Sequence, residues 1–282
     1  MIEMRLELRD LTLRYDSVTA LDGASAVLEG RILVLLGSNG SGKTSLLRIL
    51  AGLASPSAGQ ALLDGEEARP GRHPGISYLP QETGFFPFLQ QAGQTLSLSL
   101  RLRGIDDPQA PRRLLAAMGL EEEERSPAGY SGGMKQKLRI AQALTHQPRL
   151  LLLDEPTTGL DAHERMRVLR LLDRLRDRAA ILFSTHDPED AAAVAEEVAV
   201  LHRGRVVAAG TPAAVTAQAS GLVSTIVVES PLIPTFPGCA VVRAAREGER
   251  LHLRVVGEPP PGAEPVPPRL EDAYALLTRP QS

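Results

Sequence analysis

The stretch that decides the fold runs Ile32-Leu33-Val34-Leu35-Leu36-Gly37-Ser38-Asn39-Gly40-Ser41-Gly42-Lys43-Thr44. Its first five residues are all apolar, which is typical of a strand covered on both faces of a sheet. After the glycine-rich turn, apolar residues resume at helical spacing from Leu46 to Leu53. A strand, such a turn and a helix match the pattern G-x-x-x-x-G-K-[ST], whose backbone amides enclose phosphate groups. The segment therefore predicts a nucleotide-binding α/β fold.

The residue types of this turn suit a bound triphosphate. Glycines let consecutive N–H groups turn inward where a Cβ would obstruct them, and the next helix adds its positive N-terminal end. We expect the Lys43 ammonium group to reach the β- and γ-phosphates and the Thr44 hydroxyl to coordinate Mg²⁺. The predicted phosphate-binding residues are Gly37, Ser38, Asn39, Gly40, Ser41, Gly42, Lys43, Thr44 and Ser45. The alternative is a chance match in a glycine-rich turn, which the flanking strand and helix argue against.

Two acidic residues follow a second fully apolar segment, Leu150-Leu151-Leu152-Leu153-Asp154-Glu155. A carboxylate at the end of a strand beside a phosphate loop is placed to hold Mg²⁺, which we predict for Asp154. We predict that Glu155 orients and deprotonates an attacking water. Acids also follow strands as solvated starts of loops, so the pair alone is a weak signal. The neighbouring phosphate loop favours the catalytic interpretation.

The order of apolar segments predicts the fold class. A third buried strand at Ile181–Phe183 and amphipathic helices over residues 131–146 and 161–178 indicate a parallel sheet with helices on both faces. The chain also begins with alternating strands over residues 2–8, 11–15 and 24–28. Its last part predicts strands over 222–228 and 239–256, the second broken as a hairpin at Glu247-Gly248-Glu249, and a helix over 270–277. We expect this tail to be marginal as an independent fold.

Composition excludes several classes of protein. The chain has 282 residues, 43% of them hydrophobic, which excludes wholesale disorder. Its net charge of −3 is too close to neutral to indicate binding to a nucleic-acid backbone. No apolar run approaches the roughly 20 residues that span a bilayer, and we expect no signal peptide. The single cysteine, Cys239, excludes an intrachain disulfide.

Two further segments give the chain its resemblance to a known family. They are Tyr130-Ser131-Gly132-Gly133-Met134-Lys135-Gln136 and Pro156-Thr157-Thr158-Gly159-Leu160-Asp161. With the phosphate loop and the acid pair, they stand in the order found in ATP-binding subunits of ABC transporters, and the chain resembles that family over residues 2–215. The resemblance implies a P-loop NTPase of ABC type in the α/β class. Its expected parts are a RecA-like parallel-sheet core, an N-terminal antiparallel β-subdomain and a helical subdomain near residues 85–150. It divides the chain into an ATPase domain, residues 1–215, and a small C-terminal α+β extension, residues 216–282.

The resemblance also assigns roles to single residues. Gln81 resembles the glutamine that senses Mg²⁺ and the attacking water, although a lone glutamine is otherwise a surface residue. His186 resembles the switch histidine that contacts the γ-phosphate, although a lone histidine at a strand end is more often structural. Tyr15 matches the aromatic residue that stacks on adenine, and an ordinary strand-face aromatic is a serious alternative. Met134 departs from the glutamine that follows the two glycines in many members, which leaves the ATP role intact.

The signature Ser131-Gly132-Gly133 implies a second subunit. Ser131 opens a helix whose N-terminus favours an anion, and in the family this element binds the ATP of the opposite chain, with Asp161 in the neighbouring loop. The resemblance therefore implies two ATPase subunits, head to tail around two ATP, working with a separate membrane permease and no nucleic acid. It places the chain in the cytoplasm, peripheral on the cytoplasmic face of the membrane. The alternative is an ordinary loop and helix cap.

Softer similarities favour export. Three segments, Leu270–Thr278, Arg101–Ile105 and Tyr130–Met134, resemble exporter ATPases that pair with separate type-2 permeases for drugs and antibiotics. We expect an exporter ATPase, with an importer ATPase, or a soluble ABC ATPase acting on DNA or ribosomes, as the alternatives. Phe85, Phe86 and Phe88 are predicted to dock the permease, with a local core as the alternative. Glu121–Glu124 is predicted to be a solvated helix start.

Overall fold

The computed structural model describes residues 3–69, 75–81, 91–120 and 126–279. Its strands are β1 (Met4–Tyr15), β2 (Val18–Gly30), β3 (Ile32–Leu36), β4 (Ala58–Leu63), β5 (Glu66–Glu67), β6 (Ile76–Leu79), β7 (Leu150–Leu153), β8 (Ala180–Thr185), β9 (Glu197–His202), β10 (Arg205–Gly210), β11 (Val223–Glu229), β12 (Cys239–Glu247), β13 (Arg250–Gly257) and β14 (Glu264–Pro265). Its α-helices are α1 (Lys43–Leu50), α2 (Ala92–Leu102), α3 (Ala110–Met118), α4 (Gly132–Ala143), α5 (Ala162–Leu175), α6 (Pro188–Val194), α7 (Pro212–Ala217) and α8 (Leu270–Leu277). Phe85, Phe86, Phe88 and Glu121–Glu124 lie outside the described residues, so the predictions made for them stay predictions.

Among the described strands, six form the sheet that carries the site, in the order β10-β9-β3-β8-β7-β6. All neighbours in it are parallel except β10, which pairs antiparallel with β9 at one edge. β3, β7 and β8 are buried at every residue, as their unbroken apolar runs predicted. β9 and β10 were not predicted from the sequence. Because parallel strands end at one edge, the residues that follow β3, β7 and β8 meet there.

The N-terminal sheet corrects one prediction. Its order is β2-β1-β4-β5, with antiparallel pairs. The sequence predicted separate strands up to Leu8 and from Leu11, but β1 is continuous and shifts its register between these two residues. At the shift, Asp10 has a φ of 46°, and its N–H donates to the Ser25 hydroxyl at 2.9 Å. A β-bulge thus absorbs the break in alternation that resembled the end of a strand.

The two faces of the central sheet pack against different layers. On one face, β3 and α1 share a core with the N-terminal sheet, formed by Leu6, Leu28, Leu33, Leu35, Leu46 and Leu47. On the other face, strand residues pack against α4 and α5, with Val34, Leu36, Leu138, Leu153, Leu171 and Phe183 in the core. Burial on both faces fixes α1 and places its first turn at the carboxyl edge of the sheet.

Helices α2, α3 and α4 contact one another in the section predicted to be the helical subdomain. The predicted domain boundaries stay predictions, because the structure shows contacts and not separate units. Within the described ranges, no helix combines the length and the apolar character that a membrane crossing requires.

The C-terminal part is tied to the ATPase core. Its sheet has the order β12-β13-β11-β14, and α8 packs on α6 and α7. Arg254 and the fully buried Asp272 form a two-pronged ion pair, at 2.8 and 2.7 Å, that joins β13 to α8. Val256, Leu270 and Ala273 belong to the same apolar cluster as the central sheet. The extension therefore shares the core of the ATPase part, which offsets its small size.

Candidate functional site

The phosphate loop connects β3 to α1 at the carboxyl edge of the central sheet. Lys43, the first residue of α1, is buried. Its ammonium group donates to the carbonyl oxygens of Gly37, at 2.7 Å, and Ser38, at 3.1 Å. The Gly37 N–H donates to the Thr185 carbonyl at 3.1 Å, which ties the loop to the end of β8. The loop is thus held in shape by its own lysine and by the neighbouring strand.

Two glycines of the loop are required by packing as well as by phosphate. Gly42 has a φ of 108°, and a Cβ at this position would lie 2.6 Å from the Ala20 carbonyl oxygen of β2. A Cβ at Gly37 would lie 2.5 Å from the Leu201 carbonyl oxygen of β9. Both separations are too short for real atoms, so backbone would have to move for any other residue. From the sequence, these glycines were expected because the N–H groups of the loop turn inward. The structure adds a second reason, because β2 and β9 pack closely against the outside of the loop.

Asp154 and Glu155 follow β7 and are both buried. Asp154 Oδ1 accepts a hydrogen bond of 2.6 Å from the Ser184 hydroxyl, and Oδ2 accepts one of 3.4 Å from the Tyr78 hydroxyl. Burial, and next the Asp154 charge, raise the pKa of Tyr78, so its phenol stays protonated and can donate. The Glu155 N–H donates to Ser184 Oγ at 2.9 Å. Ser184 of the neighbouring strand therefore positions both acids.

Glu155 lies where the phosphate loop and the ends of β7 and β8 meet. Its φ of 47° is uncommon for a residue with a Cβ. Its Oε1 lies 3.2 Å from Lys43 Nζ, while Oε2 accepts a hydrogen bond of 2.6 Å from Thr158 and lies 3.0 Å from His186 Nδ1. Burial acts to raise the pKa of Glu155, but the Thr158 hydroxyl and the Lys43 charge together outweigh it and lower the pKa. The carboxylate is therefore ionised at neutral pH and can accept a proton.

A buried carboxylate behind the site holds the segment of His186. Asp190, in the first turn of α6, is 1% exposed. Its Oδ2 accepts hydrogen bonds from the hydroxyls of Thr157, at 2.5 Å, and Thr185, at 3.1 Å. Its Oδ1 accepts a hydrogen bond from Arg165 Nε of α5. Asp190 thus joins three segments to one another, and one of them ends at Thr185, next to the exposed His186.

The signature residues meet the Asp161 loop on the surface. The Ser131 side chain caps α4, and the Asp161 side chain caps α5. A Cβ at Gly133 would lie 2.6 Å from the Glu164 carboxyl carbon, so glycine is what lets α4 and α5 approach so closely. Ser131 and Asp161 are both exposed. Two helix N-termini with small polar caps therefore form one accessible patch.

The predicted site residues divide by their exposure. The structure joins Lys43, Glu155 and His186 by direct contacts, and Asp154 lies beside them in the chain. The exposed members are Tyr15, Ser38, Asn39, Gly40, Thr44, Gln81, Ser131, Gly132, Asp161 and His186. Tyr15 ends β1 with 40% of its surface exposed. Its contact with adenine and the roles of Gln81 and Thr44 stay predictions.

Sequence reasoning missed residues that hold the site from behind, namely Ser184, Thr158 and Asp190. One signal was present for Ser184, because it is a polar residue in an otherwise apolar strand, next to the predicted switch histidine. Thr158 and Asp190 act through contacts with segments 3 and 33 positions away in sequence. The second distance has no signature in one sequence.

The arrangement is suited to the chemistry of phosphate esters. Lys43, the loop N–H groups and the N-terminus of α1 can bind an anion, and Glu155 can accept a proton from water. Asp154, with its carboxylate fixed by Ser184, and Thr44 supply the hard oxygen donors that Mg²⁺ prefers. The residues therefore fit a magnesium-bound nucleotide.

A family model described as "ABC transporter" matches residues 22–158. A solved structure of the ATP-binding subunit of an ABC transporter is 30% identical, with a TM-score of 0.62, and the match covers 76% of this chain and 92% of that one. A dimeric ATP-binding cassette bound to ADP and phosphate is 26% identical, with a TM-score of 0.64, over 73% of this chain and 98% of the other.

Three curated relatives show the same similarity. A spermidine/putrescine import ATP-binding protein of Protochlamydia amoebophila is 38% identical, over 70% of this chain and 55% of the relative. An uncharacterized ABC transporter ATP-binding protein of Bacillus subtilis is 40% identical, over 64% of this chain and 61% of the relative. A sulfate/thiosulfate import ATP-binding protein of Bordetella parapertussis is 37% identical, over 74% of this chain and 62% of the relative. The match thus spans less than two thirds of the length of each of these relatives.

Proposed function

The chain belongs to the ABC transporter family of ATP-binding domains, and from that premise we propose that it binds ATP with Mg²⁺ and hydrolyses it to ADP and phosphate. The observation that carries the proposal is the convergence on Glu155. One oxygen lies 3.2 Å from the Lys43 ammonium and the other 3.0 Å from the His186 ring. A cation suited to phosphate and the ring of His186 thus both lie within contact distance of a carboxylate that can act as a base for water.

The mechanism assigns each residue one task. Lys43 and the N–H groups of the loop bind the β- and γ-phosphates. Glu155 accepts a proton from the attacking water as the bond to the γ-phosphorus forms, and ADP leaves from the opposite side. His186 contacts the γ-phosphate and orients Glu155. Thr44 and Asp154, together with Gln81, would hold Mg²⁺, which would supply neutralisation of the phosphate charge.

We also propose that the active site is completed by a second subunit. The patch of Ser131 and Asp161 presents two helix N-termini, which suit an anion brought by another chain. The dimeric cassette to which this chain is similar, bound to ADP and phosphate, supports this arrangement. Each chain would then supply its phosphate loop to one ATP and its Ser131 motif to the other. The partner is a second ABC ATPase subunit, most simply a copy of this chain.

We propose that a membrane permease couples this ATPase to transport, with the chain on the cytoplasmic face of the membrane. The sequence favoured export, but the relatives quoted above whose names state a direction are import proteins. We therefore propose import as the better-supported direction. Export is the second candidate, favoured by the resemblance of Leu270–Thr278 to the C-terminal segment of exporter ATPases. The two directions are separated by measuring phosphate release with malachite green for the chain co-purified with its permease. Stimulation of ATP hydrolysis by an external substrate-binding protein supports import, whereas stimulation by substrate alone supports export.

The ATPase proposal is tested with Glu155→Gln, which keeps the shape of the side chain and removes the base. We expect ATP hydrolysis to fall by at least about 100-fold, within the range contributed by a general base, while ATP now drives a stable dimer visible by size-exclusion chromatography. Glu189→Gln is the matched control, because Glu189 is exposed in the first turn of α6. Retained turnover in Glu155→Gln contradicts its role as the base. A variant that stays monomeric at saturating ATP contradicts the composite site.

A further inference from the structure

Arg139 links two parts of the molecule that the proposed mechanism treats separately. It lies on α4, two turns after Ser131. One guanidinium nitrogen, Nη2, donates to the carbonyl oxygens of Pro80, at 2.7 Å, and Gln81, at 2.8 Å. The other, Nη1, donates to Gln136 Oε1 on its own helix at 3.1 Å. One side chain thus fastens the helix that begins with the signature motif to the backbone of Gln81.

The Gln81 side of this link is itself attached to the catalytic acids. Pro80 and Gln81 continue β6, which pairs in parallel with β7. At the end of that pair, the Asp154 N–H donates to the Leu79 carbonyl at 2.9 Å. A continuous path of short hydrogen bonds therefore runs from the Asp154 backbone, through the end of β6, to Arg139 and α4.

The chemistry of the contact requires arginine. A guanidinium presents several N–H donors in a fixed plane, so one group can bond two adjacent carbonyls and a side-chain amide together. A lysine ammonium is a compact charge on a flexible stem and holds such a geometry less firmly. Bonds from a charged donor are also shorter and stronger than neutral ones. The link is therefore directional, unlike the apolar packing of Leu138 and Ile140 on the same helix.

We propose that Arg139 is a positioning residue that makes the Gln81 segment move with the signature helix. This inference rests on the proposed ATPase function and dimer. In that dimer, Ser131 contacts the ATP of the opposite chain while Gln81 serves the ATP of its own chain. Arg139 therefore couples the two ATP sites: a movement of α4 on closure around one nucleotide draws Gln81 into place at the other.

The test is a double-mutant cycle of Arg139→Met with Gln81→Ala, measured in the full-length chain. Methionine keeps much of the apolar stem and removes the hydrogen bonds to Pro80, Gln81 and Gln136. We expect Arg139→Met to lower kcat by about tenfold, a typical coupling between sites. The affinity for a fluorescent ATP analogue with Mg²⁺ should change by less than about twofold, because the loop that binds phosphate is untouched. In the Gln81→Ala background, Arg139→Met should lower kcat little further, since both changes remove one coupled unit.

Two controls keep the outcome interpretable. Lys137→Met removes a cation from the same helix, and no hydrogen bond or ion pair joins the Lys137 ammonium to another described residue. It should leave kcat unchanged. Arg139→Lys should recover part of kcat and serves as the test variant if Arg139→Met has a lowered melting temperature.

Three results would overturn the inference: an unchanged kcat in Arg139→Met, additive losses in the cycle, or a loss confined to nucleotide affinity. Failure of the proposed function is a separate observation, because the unsubstituted chain would then neither bind nor hydrolyse ATP.

Discussion

Ser184 offers the sharpest test of how the acid pair, Asp154 and Glu155, is held. The Ser184 side chain is 0% exposed and makes two hydrogen bonds in opposite senses. Its hydroxyl donates to Asp154 Oδ1 at 2.6 Å and accepts the Glu155 N–H at 2.9 Å. Substitution by alanine removes both hydrogen bonds, because only the hydroxyl is lost.

The magnitude follows from the two bonds. A hydrogen bond to a charged group contributes about 1.5–3 kcal/mol, and a buried N–H left without an acceptor costs about 1–3 kcal/mol. The hydroxyl no longer has to be desolvated, which offsets part of the loss. We therefore expect Ser184→Ala to lower the free energy of unfolding by about 3 kcal/mol. For a chain of 282 residues that corresponds to a fall of roughly 5 °C in Tm.

The stability of Ser184→Ala is measured by thermal unfolding and by urea unfolding. The control variant is Thr95→Val. Thr95 is also 0% exposed, but its hydroxyl has no hydrogen-bond partner within the part of the chain that the structure describes. Removing it should leave stability unchanged or raise it, since an unpaired buried hydroxyl is unfavourable. The two hydrogen bonds do not hold the acids if the free energy of unfolding of Ser184→Ala lies within about 0.5 kcal/mol of that of the unsubstituted chain, which is about the effect of a neutral surface change.

Three more predictions concern the charges behind and beside the site. Glu155 has a pKa below its ordinary value of 4.5, so the stability that it contributes is present above that value and is lost as the pH falls through its lowered pKa. Measured by urea unfolding, the Glu155→Gln variant should therefore lose less stability than the unsubstituted chain over that acid range. Parallel curves of unfolding free energy against pH for the two proteins would argue against the shift. Asp190→Ala should lower the free energy of unfolding by about 3 kcal/mol, because the Arg165 guanidinium and two hydroxyls lose a buried partner; a change under about 1 kcal/mol, the usual value of an exposed pair, would show that the network is not structural. Asp272→Ala should lower the free energy of unfolding by a similar amount, because it leaves the Arg254 side chain, which is 11% exposed, without its carboxylate partner. Hydrogen exchange should show the loss of protection in α8 and β13. A uniform loss of protection across the chain would contradict a local role.

The sequence and the relatives favour different directions of transport. Both rest on similarity, but the segments that favoured export include neither the phosphate loop nor the acid pair. The ATPase motifs are the same in either direction, because the energy source is shared. In the proposed transporter, direction is a property of the permease and of what it binds, so experiments on the complex decide it.

Most of the fold and the position of the candidate site could be predicted because their signals are local. An apolar run such as Leu150–Leu153 must be buried on both faces, and its parallel pairing follows from the helices between strands. The phosphate loop needs glycines in one order, so its identity is written in eight consecutive residues. The continuous course of β1 was not predictable in this way, because a bulge interrupts the alternation just as a strand end does.

The sequence by itself determined that this chain places a glycine-rich loop, an acid pair and a histidine at the ends of strands in a parallel sheet, since each of these is a short local pattern. Only the tertiary structure decided which residues hold them. Ser184 meets the acids because β7 and β8 are neighbours, and Asp190 meets Thr157 because α6 packs over the site. Arg139 reaches Gln81 because α4 lies against β6. These contacts join residues tens of positions apart, and their energy depends on burial and distance, which no local pattern records.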